Sequence, residues 1–295
     1  MPILLIILSA QRNNSHRDTA AQSFSGFAFS SHSLCVSAPL WRPGDLVRCD
    51  RAGYTGAMPA PANLNERLIV ALDFPNPNAA LTLIAQLEGL VSFYKVGLEL
   101  YTAGGGDLVQ ALTSQGKYVF LDLKFLDIQE TVRRATRQAA KLGVTFLTVH
   151  ESGKAIAAAV EGAKGSKTKI LAVTVLTDMD DADVKAMGFT GSVEELVLSR
   201  TKRAIAAGAH GVIASGREAQ KIRALSQDLI IVTPGIRPAG AAAGDQKRTV
   251  TPAEAIAAGA DYIVVGRPIR DSRDPYAAAL QIIAEMQQGL AVRTV

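Results

Sequence analysis

The sequence predicts an α/β protein built as a single (β/α)8 barrel, and three observations lead there. Eight short runs rich in Val, Ile and Leu follow one another from Leu68 onward. Ala-rich stretches with an apolar residue every three or four positions separate them, so strands alternate with amphipathic helices. The runs are also apolar almost throughout, as expected of strands covered on both faces in a parallel sheet. Eight such units in about 230 residues suit a closed barrel better than an open doubly wound sheet, for which about six strands are usual.

In chain order the runs are LIVALDF from Leu68, FYKVGLEL from Phe93, YVFLDLKF from Tyr118 and FLTVHES from Phe146. They continue with ILAVTVLT from Ile170, GVIASG from Gly211, IIVTPGI from Ile230 and YIVVGRPI from Tyr262. Among the intervening stretches, TVRRATRQAAKLG (Thr131–Gly143) and TPAEAIAAGA (Thr251–Ala260) keep an apolar face at helical spacing, and a glycine marks each helix end.

With 295 residues, 48% of them hydrophobic and 20% charged, the chain is large enough for one substantial core. The net charge of +4 comes from Lys and Arg scattered among acids, with no basic stripe carrying interleaved aromatics, so no nucleic-acid partner is expected. Residues 1–57 differ from the rest: they are Ser-rich and irregular, with three acidic residues, no Lys and both cysteines, Cys35 and Cys49. Their ILLIIL stretch is too short to span a membrane and no basic region precedes it, so neither a membrane partner nor a secretory signal is expected. Cysteines confined to that segment leave the domain without a disulfide framework, which fits a cytoplasmic location. The segment reads as a transit-type leader or, equally economically, as the product of a start assigned too far upstream, and the second reading is favoured. Met58 then opens the barrel domain 58–295, with PAPANLN as its linker.

In such a barrel the active site lies at the C-terminal ends of the strands. Those ends supply Asp73, Lys95, Asp122 with Lys124, His150, Thr177, Ser215, the turn Pro234-Gly235-Ile236-Arg237, and Gly266-Arg267. Residues two apart on a strand share a face, so Asp122 and Lys124 point one way while Leu121, Leu123 and Phe125 point the other. Asp127, three residues beyond Lys124, can return towards the same space. A half-exposed strand carrying a surface ion pair is the bland alternative, and such pairs contribute little. The other seven runs show no solvent face, which favours chemistry. Gly266 and Arg267, at the eighth strand end where barrels commonly hold phosphate, read as a phosphate anchor: a close backbone approach beside a forked cation. His150 reads as a core histidine, and His210, after a helix end, as a cap or surface residue. No His, Asp and Glu set has metal-ligand spacing, and no Walker loop or dinucleotide fingerprint is present, so no metal and no cofactor are expected.

The stretch LDLKFLDIQETV (Leu121–Val132) carries the D-x-K-x-x-D-I-x-x-T pattern of the orotidine 5'-phosphate decarboxylase family and follows ALDF and YKVGLEL in the family's order. VTVLT, PGIRP, Gln246 and VVGRPI resemble that family's substrate-binding segments, so the resemblance runs from Leu68 to about Met286. It implies decarboxylation of orotidine 5'-phosphate to uridine 5'-phosphate, the last step of de novo UMP synthesis. It further implies that Asp73 and Lys95 hold the ribose, that Asp122, Lys124 and Asp127 form the catalytic array with Lys95, and that Lys124 is the proton donor. Thr177 and Pro234 would line the substrate site, and Arg237 and Gln246 would belong to a lid after the seventh strand, over PAGAAAGDQ. Asp127, Ile128 and Thr131 would enter the partner's site in a homodimer. The residues before Met58 have no counterpart in the family.

Two other readings compete with this one. A metal-dependent sugar-phosphate decarboxylase or aldolase of the same barrel superfamily shares the D-x-K-x-x-D core. It resembles this chain less at position 95, where it places a metal-binding Glu and this chain has Lys95, whose charge would repel a dication. A non-catalytic nucleotide-binding barrel gains nothing from crowding carboxylates together.

Overall fold

Alternation along each strand sorts the apolar side chains into two cores. The computed structural model describes residues 62–240 and 247–293. In it, β1 (Leu68–Ala71), β2 (Phe93–Gly97), β3 (Tyr118–Phe125), β4 (Phe146–His150), β5 (Lys169–Val173), β6 (Gly211–Ile213), β7 (Ile230–Thr233) and β8 (Tyr262–Val265) form one closed parallel barrel in sequence order. Residues such as Val70, Val96, Leu121, Leu147 and Ile263 face the surrounding helices, whereas Ile69, Phe93, Phe120, Phe146, Leu171 and Val232 fill the interior. Both faces are therefore apolar, which is why the runs do not alternate in the sequence. The fold is the expected TIM barrel.

Rings close the barrel at the N-terminal ends of the strands. Phe93, Phe146 and Tyr262 pack with centroids 5.1–5.8 Å apart, tilted or edge-on, as the aromatic quadrupole favours. Beside them Asp261 receives the Arg223 guanidinium at 2.6 Å and the Ile231 N–H at 2.8 Å, while Arg67 donates to the Asp261 and Ala260 carbonyls. These charges are buried but partnered, so they hold the floor together.

The helices follow the sequence patterns. Gln129–Lys141 occupies the stretch after β3, and Pro252–Ala257 starts from a Thr251–Glu254 capping box with proline in its first turn. The fifth run differs from its expectation: β5 ends at Val173, and Thr174 to Thr177 leave the strand although they are apolar enough to continue it. Arginines take their carbonyls instead, Arg200 at Thr174 and the buried Arg248 at Val175 and Leu176. His210 also departs from its reading as a cap or surface residue. It is half-buried, and its Nδ1 accepts the Ile170 N–H at 3.0 Å, joining the segment before β6 to β5. Desolvation, aided by the nearby Lys169 charge, pushes its pKa down to about 4. The extension 1–57 with its cysteines, and Met58, lie outside the described residues. Among the described residues, no helix is long and apolar enough to cross a membrane.

Candidate active site

At the C-terminal end of the barrel the first three strands bring together four charges of alternating sign. Asp73 lies two residues past β1, Lys95 within β2, and Asp122 and Lys124 near the end of β3. The Lys95 ammonium is 2.8 Å from Asp73 Oδ1 and 3.7 Å from Asp122 Oδ2, and Lys124 Nζ is 2.9 Å from Asp122 Oδ1. Gly97 makes room for this row: a Cβ there would stand 3.0 Å from Lys95 Nζ and 3.2 Å from Asp73 Oδ1.

Asp122 and Lys124 meet as expected, but not by simple alternation. β3 and β4 pair regularly at Phe120 with Phe146 and Leu121 with Leu147, then again only at Phe125 with Val149. Three residues of β3 thus face one residue of β4, which makes a bulge of two extra residues. Lys124 takes a left-handed backbone, φ 51°, the only such non-glycine among the described residues. That conformation costs on the order of 1–3 kcal/mol and recurs where function requires it. Leu123 and Phe125 still pack outward against the helices.

Burial alone would push the Asp122 carboxyl up. The Lys95 and Lys124 ammoniums, with hydrogen bonds from Lys124 and Thr148, outweigh it and hold the group below the usual carboxylate range. The ionised form is thus secured at neutral pH. His150 ends β4 half-buried, and its pKa is lowered by desolvation and then by the charges of Lys124 and Arg200. Asp127 is exposed, its Oδ1 accepting the Ile128 N–H at 2.6 Å, and among the described residues no ion pair joins it to the row. Ile128 and Thr131 are exposed with it, at the start of Gln129–Lys141.

Next to the charges lies a cavity of about 380 Å³. It is lined by Asp73, Lys95, Thr177, Pro234, Arg237, Gly266 and Arg267, so seven residues expected from sequence share one space. A Cβ on Gly266 would meet only ordinary contacts, Ala71 at 3.5 Å and Asp73 at 3.8 Å, so no crowding neighbour requires a glycine there. The loop after β7 is pinned at its base, where Ile236 bridges Val250 and the Arg237 N–H donates to the Val250 carbonyl at 3.0 Å. On its returning side Lys247 pairs with Asp180 and Asp183 at 2.8 and 2.9 Å, and Arg248 pairs with the buried Glu218 at 2.9 Å. Gln246, and the lid over 238–246 from Ala241 onward, lie outside the described residues.

Three residues of the site region were not singled out in the sequence. Thr148 joins Asp122 to the bulge. Arg270 lines the cavity, donates to the Asp73 carbonyl at 2.9 Å and lies over the Phe74 ring, so it fixes the loop that carries Asp73. Arg248 holds the two carbonyls that precede Thr177. The signal for Thr148 was a polar residue at an inward position of FLTVH; for Arg270 it was a second arginine three beyond Arg267, one helical turn on.

Comparison with known proteins gives a consistent result. A curated orotidine 5'-phosphate decarboxylase of Bradyrhizobium sp. (strain BTAi1) is 51% identical over 236 residues, 80% of this chain and 97% of the relative. The protein of that name from Cereibacter sphaeroides is 54% identical over 226 residues, 75% and 97% of the two chains. The crystal structure of orotidine 5'-phosphate decarboxylase from Lactobacillus acidophilus superposes with a TM-score of 0.67 at 39% identity, covering 75% of this chain and 99% of that one. The sequence profile described as "Orotidine 5'-phosphate decarboxylase / HUMPS family" matches residues 66–282, which include every strand of the barrel. With its barrel, its row of alternating charges and relatives more than half identical over three quarters of its length, the chain belongs to the orotidine 5'-phosphate decarboxylase / HUMPS family.

Proposed function

We propose that Lys124 is the acid that protonates C6 as this enzyme decarboxylates orotidine 5'-phosphate to uridine 5'-phosphate and CO2. The reaction follows from the family and from curated relatives that carry the decarboxylase name. The enzyme is a carbon–carbon lyase of pyrimidine biosynthesis. The observation that carries the role of Lys124 is its ammonium, fixed 2.9 Å from an ionised, largely buried Asp122 at the mouth of the barrel.

Breaking the bond between C6 and the carboxylate leaves an electron pair in an sp2 orbital that the ring cannot readily delocalise. A fixed ammonium stabilises that localised charge without reorganising solvent, then gives its proton to C6. Asp122 orients Lys124, and Lys95 ties Asp122 to Asp73. Arg267 with Gly266, and Arg237 with Gln246, hold the phosphate; Asp73 and Lys95 hold the ribose; Thr177 and Pro234 line the pyrimidine side. Lys95 also argues against the metal-dependent rival, because its ammonium already stands between the carboxylates that a dication would need.

The enzyme works as a twofold homodimer in which Asp127, Ile128 and Thr131 complete the partner's site. The exposure of the two large apolar side chains that flank Asp127 in the chain, Leu126 at 63% and Ile128 at 74%, supports a covered surface there. The reading includes a small-molecule nucleotide as the substrate, no membrane or nucleic-acid partner, and a cytoplasmic location.

Orotidine 5'-phosphate mixed with the pure protein in EDTA, followed by ultraviolet absorbance, tests the reading. Turnover is expected, and its absence overturns the reading. The shared site is tested by mixing Lys124→Ala and Asp127→Ala subunits. Random pairing makes about half the dimers mixed, and each mixed dimer has one intact site, so activity should recover to roughly a quarter of wild type. No recovery, with mixed dimers demonstrated, would mean that Asp127 serves its own barrel.

A further inference from the structure

We infer that Thr148 is a positioning residue of the decarboxylase: its hydroxyl sets the geometry of the Asp122–Lys124 pair by closing the β3 bulge from β4. The inference rests on Lys124 being the proton donor.

Thr148 is the single β4 residue that faces the three bulged residues of β3. Its Oγ1 accepts the backbone N–H of Lys124 at 3.0 Å and donates to Asp122 Oδ1 at 2.9 Å. The direction is forced, because a backbone N–H can only donate and an ionised carboxylate can only accept. One hydroxyl therefore holds both the peptide of the proton donor and the carboxylate that orients its ammonium. Within the bulge the strands cannot continue their ladder, and this side chain supplies the acceptor that a β4 carbonyl would otherwise provide. Thr148 is fully buried, so water does not readily take its place if the hydroxyl is removed. The Lys124 N–H would then lose its acceptor while its backbone holds a left-handed conformation, φ 51°. Because Lys124 Nζ and Thr148 share the same carboxylate oxygen, loss of one bond frees the other to shift. The phosphate end is untouched, since Thr148 does not line the cavity formed by Arg237, Gly266 and Arg267.

This predicts a separation of chemistry from binding. Thr148→Val keeps shape and burial but lacks the hydroxyl, whereas Thr148→Ser keeps the hydroxyl and loses a methyl. For Thr148→Val, kcat should fall about ten- to a hundredfold, while the Kd for UMP stays within about twofold of wild type. Thr148→Ser should restore kcat to within about threefold, even if its melting temperature is the lower of the two. A structural role alone would instead make activity follow stability. If Thr148→Val turns over like wild type, or if kcat and UMP affinity fall together without rescue by Ser, the inference is wrong. Should the Val protein not fold, Thr148→Ala against Thr148→Ser makes the same comparison; if neither Ala nor Val folds, the hydroxyl is a folding determinant and the inference fails. Lys124→Ala run alongside separates the two readings, because an active Lys124→Ala would remove the proton donor itself.

Discussion

The N-terminal end of the barrel and its C-terminal end are made by the same strands, yet they treat charge in opposite ways. At the floor, Asp261 is answered by a guanidinium and a backbone N–H, and Arg67 by two carbonyls, beneath a plug of aromatic rings. At the mouth, Lys95 stands 3.7 Å from Asp122, and among the described residues Lys124 Nζ bonds to Asp122 alone, leaving ammonium protons for another partner. β3 runs from one regime into the other within a few residues, from Phe120 in the interior core to Lys124 in its left-handed turn. A closed floor supplies the stability that lets the mouth hold charges close together and incompletely paired.

The strongest way to break this comparison is Lys124→Ala. Decarboxylation should fall by well over a hundredfold, while UMP binding survives and the melting temperature holds, because the cavity beside the charges is lined from strands other than β3. Residual activity above about a hundredth of wild type would remove Lys124 from the chemistry, and a collapse of stability would show that the mouth is structural after all.

Phe146→Ala probes the floor in the complementary direction. Deleting a buried ring that packs against Phe93, Phe120 and Tyr262 should destabilise the fold by about 3–5 kcal/mol in denaturant melts, with kcat per folded molecule little changed. A small stability loss with a large kcat loss would merge the two regions.

The β5–β6 junction offers a pH test of smaller size. His210 has a folded pKa of about 4, below its ordinary 6.5, so between those values the unfolded chain binds more protons than the folded one. Stability should therefore fall as pH drops from 6.5 towards 4, because protonated Nδ1 cannot accept the Ile170 N–H. His210→Gln, which offers a non-titrating acceptor, should flatten that part of the melting-temperature profile. An unchanged slope would place the acid sensitivity elsewhere.

The smallest effect concerns the extension. A chain beginning at Met58 should melt and turn over like the full-length protein, since eight strands already close the barrel without it. A large loss of either property would show that residues 1–57 contribute to the domain.

The fold class was legible from the amino acids alone, and so were the candidates for the site, since a chain whose strands are buried on both faces must write them as continuous apolar runs, and any polar residue ending such a run stands out. Asp73, Lys95, Asp122, Lys124, Thr177, Arg237 and Arg267 stand out as candidates for that reason, and the D-x-K-x-x-D spacing gives two of the four clustered charges, Asp122 and Lys124, their context. Tertiary structure decided what depends on which strand lies alongside which. The β3 bulge and the left-handed Lys124 arise from pairing with β4, and the role of Thr148 exists only in that pairing. Past the end of β5, Arg200 and Arg248, distant in sequence, take the carbonyls of Thr174, Val175 and Leu176. His210 became an acceptor because a β5 N–H met it across the barrel wall. Periodicity records which face of an element is buried. A hydrogen bond between residues 24 or 40 apart in the chain, such as Lys124 to Thr148 or Ile170 to His210, leaves no periodic trace, so it appears only when the barrel closes.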